Sequence, residues 1–322
     1  MSARHNFANV TQRLFNQPLA LNPSHAAMIV SAIHSRLGVD LINLADGDFH
    51  YPGVSPHGRD AQLDRAAMRM LAGEGVTQAR LQTEDRSDKR SKLFAHEQNV
   101  AIIPIEGTLT KSWGLEPESG FTGYDGIEAK FVAALADPEI KGIWLQIDSG
   151  GGDVAGLFPL VDLISASTMR NGGTKPVYAM ISDYGYSAAY AIASAADKVF
   201  LPETGGAGSV GVITMHANYG PQISNKGIEV TIMRAGDQKA KPHPLEKIDG
   251  ETVAKIQKEI EAIRGMFVDR VATNRGIPRG RVDQTQAATY MGEDAKAIGF
   301  VDKIASDHQA WAILQRQIAR MS

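Results

Sequence analysis

The sequence predicts an α/β protein built on a largely parallel sheet, and three observations lead to this fold class. Strand-like apolar runs at 100–109, 142–148 and 176–181 alternate along the chain with helical patterns. Glycines cluster between these runs, where tight turns are needed. The segment 251–273 repeats apolar residues at spacings of three and four, which is the period of a helix. Strands that alternate with helices usually pair in parallel.

The composition excludes several classes of function. Hydrophobic residues make up 43% of the 322 residues and charged residues 21%, so we expect a sizeable core and a soluble, non-secreted protein. The net charge of −3 argues against a nucleic-acid partner. No apolar run approaches the roughly 20 residues that cross a bilayer, so we expect no membrane span. Without cysteine, thiol nucleophiles and cysteine-based zinc sites are absent.

Changes of pattern divide the chain into three predicted segments. Residues 1–95 are predicted to form a helical accessory segment that ends in a charged linker at 84–92. Residues 96–305 carry the strand and glycine patterns and are predicted to form the main domain. Residues 306–322 show a helical pattern.

A glycine-rich segment is the first candidate for chemistry. Residues 148–154 read DSGGGDV and lie between a predicted strand and a predicted helix. Successive amides in a glycine turn can point the same way and bind an oxyanion. A plain strand-to-helix turn explains the same residues equally well.

Ser187 is the second candidate, because it follows the predicted strand 176–181 and opens a predicted helix. A hydroxyl at a helix N-terminus lies near the positive end of the helix dipole. Many serines at such positions only cap the helix. The residue pattern alone therefore leaves open whether Ser187 is a nucleophile or a cap.

A nucleophilic serine needs a base, and two kinds of residue are near in sequence. His216 and His243 are one option, although His216 lies in a strand pattern. Lys239 and Lys241 are the other, directly after the predicted strand 228–233. A lysine acts as a base only where burial lowers its pKa towards neutrality.

The segment 206–211 has the spacing G-x-G-x-x-G, but it does not indicate a dinucleotide site. That fingerprint requires a helix to open at the glycines, whereas a β-type run, VITMHANY, follows here. No metal-binding or phosphate-binding motif occurs either. We therefore expect no metal and no cofactor.

Six motifs, in order and spacing, resemble the signal peptide peptidase A family of serine peptidases over about 100–305. They are IIPIEGTL, DSGGGDVAG, YGYSAAYAIASAAD, GAGSVGVI, GDQKAK and YMGEDAKAIGFVDKI. The family uses a Ser-Lys dyad, so the resemblance implies Ser187 as nucleophile and Lys239 as base. It also implies an oxyanion hole at Gly151 and Gly152 and a crotonase/Clp-like fold. Many relatives have proline where this chain has Gly150, which loosens the turn.

The residues around the predicted nucleophile are small, which suggests a narrow cleft for an extended peptide with small or apolar side chains. The residues predicted to contact the substrate are Ala188, Gly208, Ser209 and Val210.

Within that family, the chain is most similar to the capsid assembly (head maturation) proteases of lambda-like tailed phages. NQPLALNP, SGFTGYDGI and the lack of a membrane anchor carry this resemblance. It implies cleavage of head proteins (scaffold, portal or the protease itself) in the host cytoplasm and procapsid interior. It also implies a homo-oligomeric ring whose subunits share active sites, and a scaffold segment beyond the helix at 306–322.

Two other functions remain open from the residues. One is a crotonase-like acyl-CoA enzyme, whose fold and oxyanion turn are similar. The other is a non-catalytic scaffold or shell protein with the same fold. The pairing of Ser187 with Lys239 argues against both.

Overall fold

The structure is a computed structural model that describes residues 19–21, 93–112 and 120–321. These residues form one sheet of ten strands. The strands are β1 (Leu19–Leu21), β2 (Ala95–Glu97), β3 (Val100–Thr110), β4 (Phe121–Gly123), β5 (Gly142–Asp153), β6 (Val177–Tyr186), β7 (Lys198–Leu201), β8 (Gly206–Gly208), β9 (Thr289–Met291) and β10 (Lys303–Ile304).

Eight α-helices are found in the described ranges, together with a short 3-10 turn at Met169–Asn171. None of these helices is long and apolar enough to cross a bilayer. The helices are α1 (Tyr124–Ala136), α2 (Leu157–Ala166), α3 (Ala188–Ser194), α4 (Gly220–Asn225), α5 (Gly250–Arg275), α6 (Arg279–Asp283), α7 (Gly292–Ile298) and α8 (Asp307–Met321).

Parallel pairing dominates the sheet. Its main path runs β10-β7-β6-β5-β3-β2, and only the β2–β3 pair on this path is antiparallel. β4 and β8 add in parallel to β3 and β6, whereas β1 and β9 pair antiparallel with β5 and β8. The predicted fold class, a largely parallel sheet with flanking helices, is confirmed.

The central strand β5 is buried on both faces, as strands of parallel sheets usually are. Ile143, Leu145 and Ile147 belong to the main core, which also includes residues of α1, α2, α3 and α5. Trp144 points to the opposite face, because side chains alternate along a strand. There it meets Trp311 of α8 edge to face, with ring centroids 5.2 Å apart.

The long helix α5 forms where the periodicity predicts it. The side chain of Asp249 caps its N-terminus by accepting a hydrogen bond of 2.7 Å from the Thr252 amide. Its C-terminus ends at Gly276, which takes the left-handed conformation that glycine adopts without strain.

Two predicted strands are wrong in this single chain. Residues 210–215 (VGVITM) contain only an isolated bridge, and residues 228–233 (IEVTIM) form no strand. A strand needs a neighbour for its backbone hydrogen bonds, and the described part of the chain offers none here. Several apolar side chains of the second segment are exposed instead. They are Ile228, Val230 and Met233.

The predicted helices of residues 1–95 lie outside the described residues, which cover only 19–21 and 93–95 of that segment. The division of the chain at 95 and 305 stays a prediction. α8 covers most of 306–322, and it packs on the sheet through Ala310 and Leu314, which are fully buried beside Trp144.

Replacing Leu314 by alanine should destabilise the protein by about 2–5 kcal/mol, because it leaves a cavity under α8. Chemical denaturation measures this loss. The matched control is Arg316→Ala, an exposed position on the same helix, which should shift stability by no more than about 0.5 kcal/mol. Equal effects of the two substitutions would contradict the packing of α8 on the sheet.

Candidate active site

Ser187 lies at a sharp turn between β6 and α3. Its backbone has φ 53° and ψ −121°, a conformation that costs an L-residue on the order of 1–3 kcal/mol. Two hydrogen bonds hold the turn: the Ser187 amide donates to the Gly208 carbonyl at 2.8 Å, and the Ala191 amide donates to the Ser187 carbonyl at 2.9 Å. A strained serine between a strand and a helix is the geometry of a nucleophile elbow.

The Ser187 side chain is enclosed and unsatisfied. The residue is 1% exposed, and its Oγ is buried without a hydrogen-bond partner among the described residues. Buried hydroxyls nearly always have a partner, so an exception needs an explanation. Nor does the Ser187 side chain cap α3, which removes the N-cap interpretation of this residue.

The glycines of the first candidate segment belong to β5 and do not form the predicted turn. Gly152 lies so close to β3 that an added Cβ would be 1.8 Å from the Leu109 carbonyl oxygen, so only glycine fits. Gly151 has a φ of 104°, which favours glycine for a separate reason.

Ser149 connects the glycine strand to β3. Its Oγ donates to the Gly107 carbonyl at 2.6 Å and accepts a hydrogen bond from the Gly151 amide at 3.1 Å. The sequence patterns did not predict a role for this buried residue. The one feature that could have pointed to it is a hydroxyl side chain directly before the run of three glycines. Because Ser149 occupies the Gly151 amide, that amide must exchange partners before it can serve as an oxyanion donor.

The pairing of β5 with β6 places the glycine segment and Ser187 at the same position along the two strands. The last rung between β5 and β6 pairs Ser149 with Gly185. Gly151 lies two residues beyond this rung on one strand, and Ser187 lies two residues beyond it on the other. Ser187 therefore sits beside the glycine segment of β5, as the predicted site requires.

The four residues predicted to contact the substrate are next to Ser187, either in sequence or through the pairing of β6 with β8. Gly208 pairs with Tyr186, and an added Cβ at Gly208 would be 2.7 Å from the Ala288 carbonyl oxygen. Ser209 is buried and has a φ of 56°. Ala188 and Val210 are fully buried, so their side chains belong to the core and only their backbones remain as candidate contacts.

Lys239 is not brought to Ser187 within this chain. It lies exposed in a turn in which its amide donates to the Gly236 carbonyl at 2.9 Å. Since Ser187 Oγ has no hydrogen-bond partner within 19–21, 93–112 and 120–321, the Lys239 ammonium makes no hydrogen bond to it. The pairing of the two residues stays a prediction.

Lys241, the other lysine of the motif, is bound elsewhere. Its Nζ forms a salt bridge of 2.9 Å with Asp249. The hydrogen bond to Asp249 raises the pKa of Lys241, which favours the charged form. That direction is opposite to the one a general base needs.

The two candidate histidines face the segment around 243–246. His216 Nε2 is 3.2 Å from the Glu246 carbonyl oxygen, and His243 Nδ1 accepts a hydrogen bond of 3.2 Å from the Leu245 amide. Neither is hydrogen-bonded to Ser187 Oγ. Across the described ranges, no group of three or more His, Asp or Glu side chains is arranged to hold a metal ion.

Comparison with known proteins shows which family the chain resembles. Residues 170–319 match the family described as Peptidase family S49. Capsid assembly protease C of Escherichia phage lambda is 30% identical over 96% of this chain and 66% of its own length. The head-tail preconnector protein GP5 of Enterobacteria phage P21 is 28% identical over 97% of this chain and 58% of its own length. The chain is thus similar to peptidase family S49 over residues 170–319.

This finding confirms the resemblance to signal peptide peptidase A proteins and, among them, to phage capsid assembly proteases. The chain spans less than two thirds of the length of the two phage relatives. Among solved structures, a ClpP1 mutant from Listeria monocytogenes covers 65% of this chain and 93% of its own chain, with 15% identity and a TM-score of 0.39.

Ser149→Ala should destabilise the protein by about 1–3 kcal/mol, because the half-buried Gly107 carbonyl and the buried Gly151 amide both lose their bond to Ser149 Oγ. Thermal or chemical denaturation measures the change. Ser224→Ala, at an exposed position of α4, is the matched control and should have almost no effect. If both variants unfold at the parent's midpoint, the Ser149 bridge contributes nothing.

Proposed function

We propose that this protein is a serine endopeptidase of family S49, with Ser187 as its nucleophile. The strained turn at Ser187 is the single observation that carries the proposal. A fold tolerates such strain where surrounding contacts over-determine it, and such sites are concentrated at active centres. Ser187 Oγ is buried and has no hydrogen-bond partner in the described part of the chain. This supports the same role, because its hydroxyl remains available to a base and a substrate.

In the proposed reaction, neutral Lys239 accepts the Ser187 hydroxyl proton while Oγ attacks the peptide carbonyl carbon. The resulting ammonium protonates the leaving amine, and the C–N bond breaks to give an acyl-enzyme. A water molecule, deprotonated by the same lysine, then attacks the acyl carbon. Its attack releases the carboxylate product and returns the proton to Ser187.

The oxyanion is proposed to bind backbone amides at the junction of β5 and α3. Gly151 and Gly152 are the predicted donors. The Ala188 amide is a further candidate, since it is in the first turn of α3 and so has no partner inside its own helix. The residue after the nucleophile supplies such a donor in other elbow geometries. Losing one donor typically costs about 10²–10³ in rate.

Lys239 is proposed to reach Ser187 of a neighbouring subunit. Three features of the described residues support this arrangement: Lys239 is exposed, Ser187 has no base hydrogen-bonded to it, and the strand-like segment 228–233 just before Lys239 pairs with no described strand. Pairing of that segment with another subunit would cover its exposed apolar side chains. It would also bury the lysine, which lowers its pKa. Assembly into a ring then switches on activity.

The substrates are proposed to be phage head proteins, including the scaffold, the portal or the protease itself. The similarity to a lambda capsid assembly protease and to a phage head-tail preconnector protein supports this. The setting would be the host cytoplasm and the interior of the procapsid. The match of residues 170–319 to a peptidase family favours this function over an acyl-CoA enzyme.

Ser187→Ala should lower peptide hydrolysis by at least about a thousandfold, because no other group supplies the attacking oxygen. The rate of a fluorogenic peptide assay measures this, and light scattering should show unchanged oligomer size. Ser224→Ala is the control and should keep the parent rate. Turnover above about a tenth of the parent rate in Ser187→Ala would reject the nucleophile.

Lys239→Arg should be equally inactive, because a guanidinium stays charged and cannot accept the proton. Lys241→Ala is the matched control two residues away and should keep most of the activity, since Lys241 is bound to Asp249. The same peptide assay reads both variants. Loss of activity in Lys241→Ala alone would show that the base is assigned to the wrong lysine.

A further inference from the structure

The short strand β1 comes from the accessory segment and pairs antiparallel with the glycine end of β5. Its three rungs are Leu19 with Asp153, Ala20 with Gly152 and Leu21 with Gly151. At Gly151 and Gly152, β5 already has β3 on one edge. A strand has only two edges for pairing, so β1 must lie along the other edge.

That other edge is the one that β6 leaves. β6 pairs with β5 as far as the rung between Ser149 and Gly185, and the chain then turns at Ser187 into α3. The rung of Leu21 with Gly151 lies two residues beyond the last β5–β6 rung, and so does Ser187. β1 therefore runs along β5 at the level of the proposed nucleophile.

An extended peptide would use the same edge. Peptides commonly bind by adding a strand to an open sheet edge, where main-chain hydrogen bonds supply the affinity. Glycines at Gly150, Gly151 and Gly152 leave that edge without side chains, so a peptide backbone can approach closely. Because the edge accepts one strand at a time, β1 and a substrate exclude each other.

The sequence around β1 suits an extended ligand. In the sequence, Pro18 directly precedes the strand and Pro23 follows it by two residues, and each proline restricts the conformations open to itself and to the residue before it in the unpaired chain. Such restriction lowers the entropy lost when the segment pairs with β5.

We propose that the segment containing Leu19–Leu21 is an intramolecular ligand of the peptide-binding edge, bound as an antiparallel strand in the place of substrate. The proposal rests on the proposed peptidase function for what the edge binds. The near-complete burial of Ser187 agrees with it, since an open groove would expose the nucleophile. A substrate must displace the segment before it reaches Ser187.

A displaceable ligand of this kind raises the apparent KM and leaves kcat unchanged, because it competes for binding and takes no part in the chemistry. The double variant Ala20→Pro/Leu21→Pro removes the competition. Neighbouring strand residues point their N–H groups to opposite edges, so one of the two prolines must delete a donor of the ladder. Ala8→Pro/Asn9→Pro is the matched control, in the same accessory segment but outside β1.

With a fluorogenic peptide of small apolar residues as substrate, the double variant should show a KM at least about threefold below that of the parent and the control, at equal kcat. An unchanged KM would overturn the proposal. A lower kcat at unchanged KM would overturn it as well, because that result indicates a structural role for the segment.

Two measurements do not need activity, and so separate failure of this proposal from failure of the proposed function. Amide hydrogen exchange in 149–155 should be faster in the double variant than in the control. A labelled peptide of residues 16–24 should bind the double variant at least about tenfold more tightly than the parent, because the edge is open. The same peptide with proline at the positions of Ala20 and Leu21 should not bind. Unchanged exchange, or equal binding to variant and parent, would contradict the occupied edge.

Discussion

The divergence of β5 and β6 after the rung of Ser149 with Gly185 is the constraint on which the candidate site depends. Beyond that rung β6 turns through Ser187 into α3, while β5 continues to Asp153 alongside β3. The divergence leaves one edge of a glycine strand unpaired with β6 and places a serine hydroxyl beside it. The positions of the proposed nucleophile, the oxyanion donors and the peptide-binding edge all depend on this divergence of the two strands.

Burial of α3 on all sides holds Ser187 in its strained conformation. All residues of α3 are buried, and small side chains let this helix pack closely against the sheet. Tyr190 anchors it: its hydroxyl donates to the Phe300 carbonyl at 2.9 Å, and the two rings are 4.7 Å apart. Burial of this aromatic pair offsets a backbone cost on the order of 1–3 kcal/mol at Ser187.

Sequence patterns predicted those parts of the fold that depend on periodicity. The helix α5 and the buried strands β5 and β6 are examples, because apolar spacing reports directly which faces are buried. The extension of β5 through Gly150–Gly152 was not predictable in this way, since glycine favours turns locally and only the close approach to Leu109 explains its presence. Segments 210–215 and 228–233 have strand composition, but composition does not say whether a partner strand exists.

The candidate site, like the fold, could be predicted only in part from the sequence. Residue types and spacing left Ser187 open between a cap and a nucleophile, and only the backbone conformation separates the two. The bridge made by Ser149 depends on a hydroxyl reaching another strand, which no local pattern reports. Lys239 is the clearest case, because it makes no hydrogen bond to Ser187 within this chain and its proposed partner belongs to another subunit.

The most direct test of the account is complementation between two inactive variants, Ser187→Ala and Lys239→Ala, dissociated, mixed in equal amounts and reassembled. If serine and lysine meet across a subunit boundary, about a quarter of the sites in a randomly mixed ring contain both groups, and hydrolysis should recover to about that fraction of the parent rate. A mixture as inactive as its two components would contradict an active site shared between neighbouring subunits.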